Sequence, residues 1–236
     1  MTLTTYSPGL VVRNLPADRT LADYKLIAFD MDSTLINIEC IDEIAAVAGK
    51  KSEVAAITEA AMRGEITDFR DSLARRLALL RGVPVGALQT VYEERLKLNP
   101  GAETLVAACR QAGLKILLVS GGFTYFADRV KARLGLDFAR SNRLETKDGL
   151  LTGRVERQSW GDVCDGAEKR RTVLELASLM GIEAHQTIAV GDGANDLPMM
   201  QASGLSVAFH AKPTVREAAM VEINEGGLDR LLEVMR

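Results

Sequence analysis

The sequence predicts a doubly wound α/β fold: a mostly parallel, Rossmann-like sheet with helices on both faces and an inserted helical cap. Three observations predict it. Short, mainly apolar runs at Leu26–Phe29, Lys115–Val119 and Thr187–Val190 each break off into Asp, Ser or Gly, as strands buried on both faces do. Helical periodicity separates these runs through short loops, which implies strand–helix alternation around a parallel sheet. After the first run that alternation is interrupted, and residues 37–98 read as successive helices with no strand between them.

The composition agrees with an ordinary globular chain. At 236 residues, 47% hydrophobic and 26% charged, it has ample material for a core plus an insertion. A net charge of -3 gives no electrostatic footprint for nucleic acid or an anionic membrane surface. No apolar run approaches the length of a membrane span, and the first residues lack the basic start and apolar block of a signal peptide. Cys40, Cys109 and Cys164 show no CxxC spacing, which leads us to expect reduced thiols in a cytoplasmic protein. Nothing in the sequence fixes an oligomeric state.

Taken in order, residues 1–20 contain Pro8 and Pro16 and no clear period. We expect a partly ordered arm there, ahead of a core at 21–36 and 99–236. The cap at 37–98 opens with Ile41, Ile44, Ala45 and Ala48 at i, i+3, i+4 and i+7, stopped by Gly49. Helices about Val54–Arg63, Asp68–Leu80 and Val85–Leu96 follow. Their stripes are Leu73, Leu77 and Leu80, then Leu88, Val91, Tyr92 and Leu96, with Gly64, Gly82 and Pro84 as punctuation. Asn99-Pro100-Gly101 closes the insertion. A helix through Leu105, Ala108, Cys109 and Ala112 leads to the strand at 115–119, and a helix about Tyr125–Leu134 ends at Gly135. Residues 143–156 read as a small hairpin inserted on the core, with Asp148-Gly149 at its turn. A helix about Glu168–Met180 precedes the strand Thr187–Val190, and helix Leu197–Ala202 with strand Leu205–Phe209 completes the pattern.

The chemistry gathers where strands end. Side chains alternate along a strand, so Asp30 and Asp32 leave on one side and Met31 on the other. They do so at the carboxyl end, where open α/β sheets place their active sites. With no basic neighbour in sequence, such a pair either raises a pKa or holds a cation. Asp and Ser are also ordinary turn residues, so the motif gains weight from the rest of the chain. Asp192 and Asp196, in the turn Gly191-Asp192-Gly193-Ala194-Asn195-Asp196, would bring four carboxylates together, and their mutual repulsion calls for a counter-charge. Oxygen-only donors favour Mg2+ over Zn2+. Ser120-Gly121-Gly122, between a strand and a helix, offers a hydroxyl and bare backbone N–H groups suited to a phosphate. No GxxxxGK[ST] occurs, which excludes a Walker A kinase.

FDMDSTLINIECIDEIA, FRDSLARR, VSGGF, NRLETKDGLLTG and VGDGANDLPM follow one another between about Lys25 and the C-terminus. In that order they resemble the haloacid dehalogenase superfamily, most closely its phosphoserine-hydrolysing branch. The resemblance implies that Asp30 attacks phosphorus to form an aspartyl-phosphate. It gives Asp32 two tasks, protonating the leaving alcohol and then deprotonating the hydrolytic water. Mg2+ would be held by Asp30, the Asp32 main-chain carbonyl and Asp192, with Asp196 supporting the site through hydrogen bonds. Ser120, Gly121 and Lys169 would bind the phosphate, although Arg170 and Arg171 directly follow Lys169. Asn195 would bond the phosphate or the attacking water. Glu39 would take the substrate amine and Arg76 its carboxylate, with Arg75 as the obvious rival, while Met62 and Phe69 would cover the substrate. His210 carries no motif and is expected to be structural. The implied activity is Mg2+-dependent hydrolysis of O-phosphoserine to serine and phosphate, the last step of serine biosynthesis. Another small phosphate ester as substrate, or homoserine as phosphoryl acceptor, is the second expectation.

Overall fold

The computed structural model describes residues 3–15, 18–62 and 65–235. The chain begins with β1 (Leu3–Ser7), β2 (Leu10–Arg13) and β3 (Leu26–Phe29), and then forms four consecutive helices. These are α1 (Cys40–Val47), α2 (Lys51–Met62), α3 (Phe69–Leu79) and α4 (Gly86–Glu94). Alternation resumes with α5 (Ala102–Gln111), β4 (Lys115–Phe123), α6 (Thr124–Leu134), β5 (Phe138–Lys147) and β6 (Leu150–Glu156). It continues through α7 (Gly166–Met180), β7 (Thr187–Gly191), α8 (Leu197–Ala202), β8 (Leu205–Phe209), α9 (Pro213–Ala218) and β9 (Val221–Ile223).

The strands form one nine-stranded sheet in the order β1-β2-β9-β8-β7-β3-β4-β5-β6. From β9 to β5 every neighbouring pair is parallel. The first of these parallel strands in sequence, β3, lies between β4 and β7. Its carboxyl end is therefore where the chain order reverses, the crevice in which open α/β sheets bind ligands.

Alternation along the strands sorts the core into two layers. Ile27, Phe29, Ile116, Leu118, Ile188 and Val190 pack on one face with α5 and α6. Leu26, Ala28, Leu117, Val119, Ala189 and Ala208 pack on the other with Val173, Met199 and Met200 of α7 and α8. A strand with apolar residues at every position is thus satisfied on both sides.

Two expectations are corrected. Residues 3–13 are a hairpin of the sheet instead of an arm: β2 pairs antiparallel with β9, Leu10 opposite Ile223, and Leu10 is fully buried. Its partner lies at the far end of the chain, so no local pattern announces it. The hairpin near Asp148, read as an insertion, is the continuation of a core strand. β5 first runs parallel to β4, Leu117 opposite Phe138, then bends away and pairs antiparallel with β6. Asp148 (φ 52°) and Gly149 (φ 77°) make its turn, the left-handed pair that a two-residue hairpin demands.

The helical insertion is tied to the rest at separate places. At its neck, Ile36 bridges Leu98 and the Asn37 N–H donates to the Lys97 carbonyl at 3.0 Å. Its α3–α4 loop is bonded to the hairpin: Gly82 N–H to Leu151 O at 2.8 Å, Leu151 N–H to Val83 O at 2.8 Å, and Val85 N–H to Gly149 O at 2.9 Å. At the start of α3, Arg70 Nε meets Asp165 Oδ2 at 2.7 Å.

Candidate active site

The turn after β3 sets the first two acids. The Asp30 N–H still joins the sheet, donating to Val190 O at 2.9 Å, so this residue is held by the sheet itself. Met31, fully buried, anchors the turn in the core, and Ser33 bends it at φ 57°. Asp30 is 6% exposed. Its Oδ1 accepts from the Met31 N–H at 2.7 Å and from Lys169 Nζ at 2.8 Å.

Lys169 reaches in from α7 and is completely buried. Arg170 and Arg171 point outward, Arg171 pairing with Glu168 and Glu175 on the surface. A buried ammonium requires carboxylates, and Lys169 has two, since Asp196 Oδ1 lies 2.7 Å from Nζ. Burial alone would lower the Lys169 pKa, but Asp196 and Asp30 outweigh it and hold the ammonium charged. The other Asp196 oxygen accepts the Asp192 and Gly193 N–H groups at 3.1 and 3.0 Å. Gly191 is required here, because a Cβ would lie 2.4 Å from the Asp196 carboxyl.

These bonds separate ligand from support. Carboxylate oxygens of Asp30, Asp192 and Asp196 lie within 4.8 Å of one another. Asp196 has both oxygens occupied, whereas Asp192 Oδ1 accepts from the Thr34 hydroxyl at 3.0 Å and its second oxygen takes no bond from the described residues. Asp30 Oδ2 is free in the same sense. An all-carboxylate set with open oxygens suits a hard divalent cation. Charge also fits: burial and Asp196 raise the Asp30 pKa well above the ordinary range, and burial with Asp196 and Glu39 lifts Asp192 to about 7.

Asp32 faces the cleft differently. Its Oδ2 accepts from the Cys40 N–H at 3.4 Å, and its Oδ1 is buried with no partner. Burial, reinforced by the charge of Glu39, pushes it up to about 8, so it carries a proton at neutral pH. Glu39 is exposed within the cleft, where Oε1 accepts from the Ser33 hydroxyl at 2.7 Å. Arg76, on the last turn of α3, lies within electrostatic reach of Asp42, Glu39 and Asp32. Its guanidinium bonds only weakly to its own helix, at Ser72 O, 3.4 Å away. Arg75 is half-exposed and paired with Asp71 on the outer face.

Opposite Asp30, β4 runs on through Ser120-Gly121-Gly122 to Phe123. The Ser120 hydroxyl accepts from the Gly122 N–H at 2.8 Å. A Cβ on Gly121 would come within 2.8 Å of the Phe69 ring, and one on Gly122 within 3.0 Å of Asp32 Oδ2. Close approach, not unusual φ, demands these glycines. The cap residue Phe69 thus rests on the loop. Asn195 turns its side chain over Gly193, whose Cβ would lie 2.5 Å from Asn195 Oδ1. The Met62 side chain lies outside the described residues. His210 is structural as expected: its ring bonds Gly226 O at 2.9 Å.

Sequence reasoning brought the principal residues to one crevice and missed several others. Thr34 was visible within the first motif, two residues after Asp32. Arg70 and Asn142 stand inside FRDSLARR and NRLETKDGLLTG with nothing in those motifs to mark a role, Asp165 lies outside them, and Asn142 has no exposed surface.

The raised carboxyls predict how pH acts on stability. A folded-state pKa above the unfolded value means the folded protein binds more protons, so stability falls as pH rises from the ordinary carboxyl range through about 7 and 8. A divalent cation bound to Asp30 and Asp192 relieves that loss. Melting in chelator should therefore drop between pH 5 and pH 8, and added Mg2+ should restore more at pH 8. An equal Mg2+ shift at both pH values would contradict the assignment.

Residues 24–204 match the model of the haloacid dehalogenase-like hydrolases. The chain is 66% identical over 233 residues to the phosphoserine phosphatase of Polaromonas sp. (strain JS666 / ATCC BAA-500), covering 99% of each. It is 63% identical to that of Albidiferax ferrireducens, covering 99% of this chain and 98% of the relative. A substrate-bound phosphoserine phosphatase complex superposes with a TM-score of 0.83 at 40% identity, spanning 90% of this chain and 99% of that one.

Proposed function

The chain belongs to the haloacid dehalogenase-like hydrolases, and on that footing we propose that it splits O-phosphoserine into serine and inorganic phosphate, the last step of serine biosynthesis. The observation that carries this reading is the facing of two unlike sites across one crevice. The buried Asp30–Lys169–Asp196 chain lies on one side with the Ser120-Gly121-Gly122 loop, and the opposite charges of Glu39 and Arg76 lie on the other. Asp30, Asp192 and the Asp32 main-chain carbonyl would hold Mg2+, with Asp196 orienting the turn. Bound there, Mg2+ supplies positive charge on the phosphoryl oxygens.

The remaining chemistry belongs to side chains. Asp30 Oδ2 attacks phosphorus, forming an O–P bond as the bond to the serine oxygen breaks. Asp32, protonated at neutral pH, gives that oxygen its proton. In the second half-reaction Asp32 takes a proton from water, which attacks phosphorus and releases Asp30. Lys169 and the Ser120 hydroxyl steady the transferring group, and Asn195 lies close enough to the turn to orient phosphate or water. Phe69, resting on Gly121, closes the crevice against solvent. The buried, free cysteines Cys40, Cys109 and Cys164 support a reducing, cytoplasmic setting, and no helix among the described residues is long and apolar enough to cross a membrane.

Selectivity must come from the head group, because every phosphomonoester offers the same phosphate. Arg76→Ala should lower kcat/KM for phosphoserine roughly ten- to hundredfold, since a hydrogen bond to a charged group contributes about 1.5–3 kcal/mol. It should leave phosphoethanolamine, which lacks the carboxylate, nearly untouched. Glu39→Gln should behave likewise with phosphoserine and spare phospholactate, which lacks the amine. Steady-state rates on the three esters read this directly. Equal slowing of phosphoserine and phosphoethanolamine by Arg76→Ala would make Arg76 a support of the cap and remove the basis for an amino-acid substrate.

A further inference from the structure

We propose that Asn142 is a positioning residue of the phosphate site, setting both the orientation of the Ser120 hydroxyl and the spacing between the Ser120-Gly121 loop and the helix that carries Lys169. The inference rests on the reading of that loop as the phosphate cradle.

Asn142 stands where β5 stops following β4, its backbone opposite Phe123. The side chain is fully buried and both ends of its amide are used. Nδ2 donates to Gly121 O at 2.7 Å, and Oδ1 accepts from the Cys164 N–H at 2.8 Å. Cys164 directly precedes Asp165, the N-cap of α7, whose side chain accepts from the Glu168 N–H at 2.9 Å. One planar amide therefore spans the two segments that converge on phosphate.

The first bond fixes more than a carbonyl. In a trans peptide C=O and N–H point in opposite directions, so holding Gly121 O toward Asn142 turns the Gly122 N–H the other way. There it meets Ser120 Oγ. A hydroxyl that already accepts this bond has its own hydrogen left to donate, which is what an anionic oxygen requires. Asn suits the position because it donates at one end and accepts at the other. Asp offers only acceptors, and would set a carboxylate against Gly121 O.

The test is calorimetric binding of inorganic phosphate in Mg2+ buffer, paired with inhibition by L-serine, which reports the head-group side of the crevice. Asn142→Asp should weaken phosphate about tenfold or more, as loss of a hydrogen bond to a charged group does, while serine inhibition moves less than twofold. Asn142→Ala, which leaves room for a bridging water, should show the same split at smaller size and serves if the Asp variant fails to fold. Ser120→Ala should weaken phosphate too, and combining it with Asn142→Asp should add little, because one acts through the other. Parallel weakening of phosphate and serine, or unchanged phosphate binding in the Asn142 variants, overturns the proposal. If Ser120→Ala binds phosphate like the unaltered protein, the cradle reading itself fails, and the role of Asn142 falls with it.

Discussion

Asp30→Asn will lower phosphoserine turnover by about four orders of magnitude or more, the scale expected when a covalent nucleophile is removed, without costing the fold. Both bonds that hold the Asp30 side chain go to one oxygen, Oδ1, from the Met31 N–H and Lys169. An Asn can keep its carbonyl oxygen there and place NH2 where Oδ2 stood, the oxygen proposed to attack. The substitution also deletes a charge that burial and Asp196 disfavour. In chelator at pH 8 the variant should be at least as stable as the parent, an instance of strain held at a working site. Single-turnover rates and thermal melts test the pair of outcomes, with mass spectrometry to exclude deamidation. Near-parental turnover would remove Asp30 from the nucleophile's role. A fall in both activity and melting temperature would make it a structural residue.

Lys169→Met should damage both properties. The ammonium is the only cation bonded to the buried Asp30 and Asp196 among the described residues, and stripping one partner from a buried ionic cluster costs about 3–5 kcal/mol. Protons can partly replace it, because Asp30 already has a raised pKa. The loss measured by denaturant unfolding in chelator should therefore be larger at pH 8 than at pH 5. Loss of kcat/KM by more than a hundredfold should accompany it, since the transferring phosphoryl group loses its fixed positive charge. A variant with parental stability at pH 8 would show that the pair contributes nothing net.

The sequence displayed those features whose determinants are local. β3 is an uninterrupted apolar run, β7 follows Thr187 with another and β8 is broken only by Ser206, α6 and α7 end at Gly135 and Gly181 in left-handed conformation, and the acids stand in short motifs. What stayed hidden depends on distant partners. β2 is a strand because β9 lies beside it, and three residues, Val221–Ile223, are too few to show a period. The start of β5 shows no alternation, since Phe138–Arg140 are all half-buried although they pair with β4. Asn142 is a common polar residue whose meaning lies in Gly121 and Cys164, each about a helix away in sequence. Lys169 shows the other limit. Beside Arg170 and Arg171 its side chain reads like solvated surface, and only the turn of α7 reveals that it points inward.

The bonds between the α3–α4 loop and the hairpin have a mechanical consequence. A body fastened at two places can turn only about the line that joins them, and here those places are the neck at Ile36–Leu98 and the rungs at Gly82–Val85. The rungs comprise three backbone hydrogen bonds, each worth about 0.5–1.5 kcal/mol, with Leu151 buried beneath them. The fastening at the start of α3 is one partly exposed pair, Arg70–Asp165, of a kind worth about 0–1 kcal/mol. The weakest seam therefore runs beside Phe69 and Gly121, directly above the Ser120-Gly121-Gly122 loop. On that geometry the cap is expected to open on the side of Phe69, like a door swinging on two hinges against a light catch.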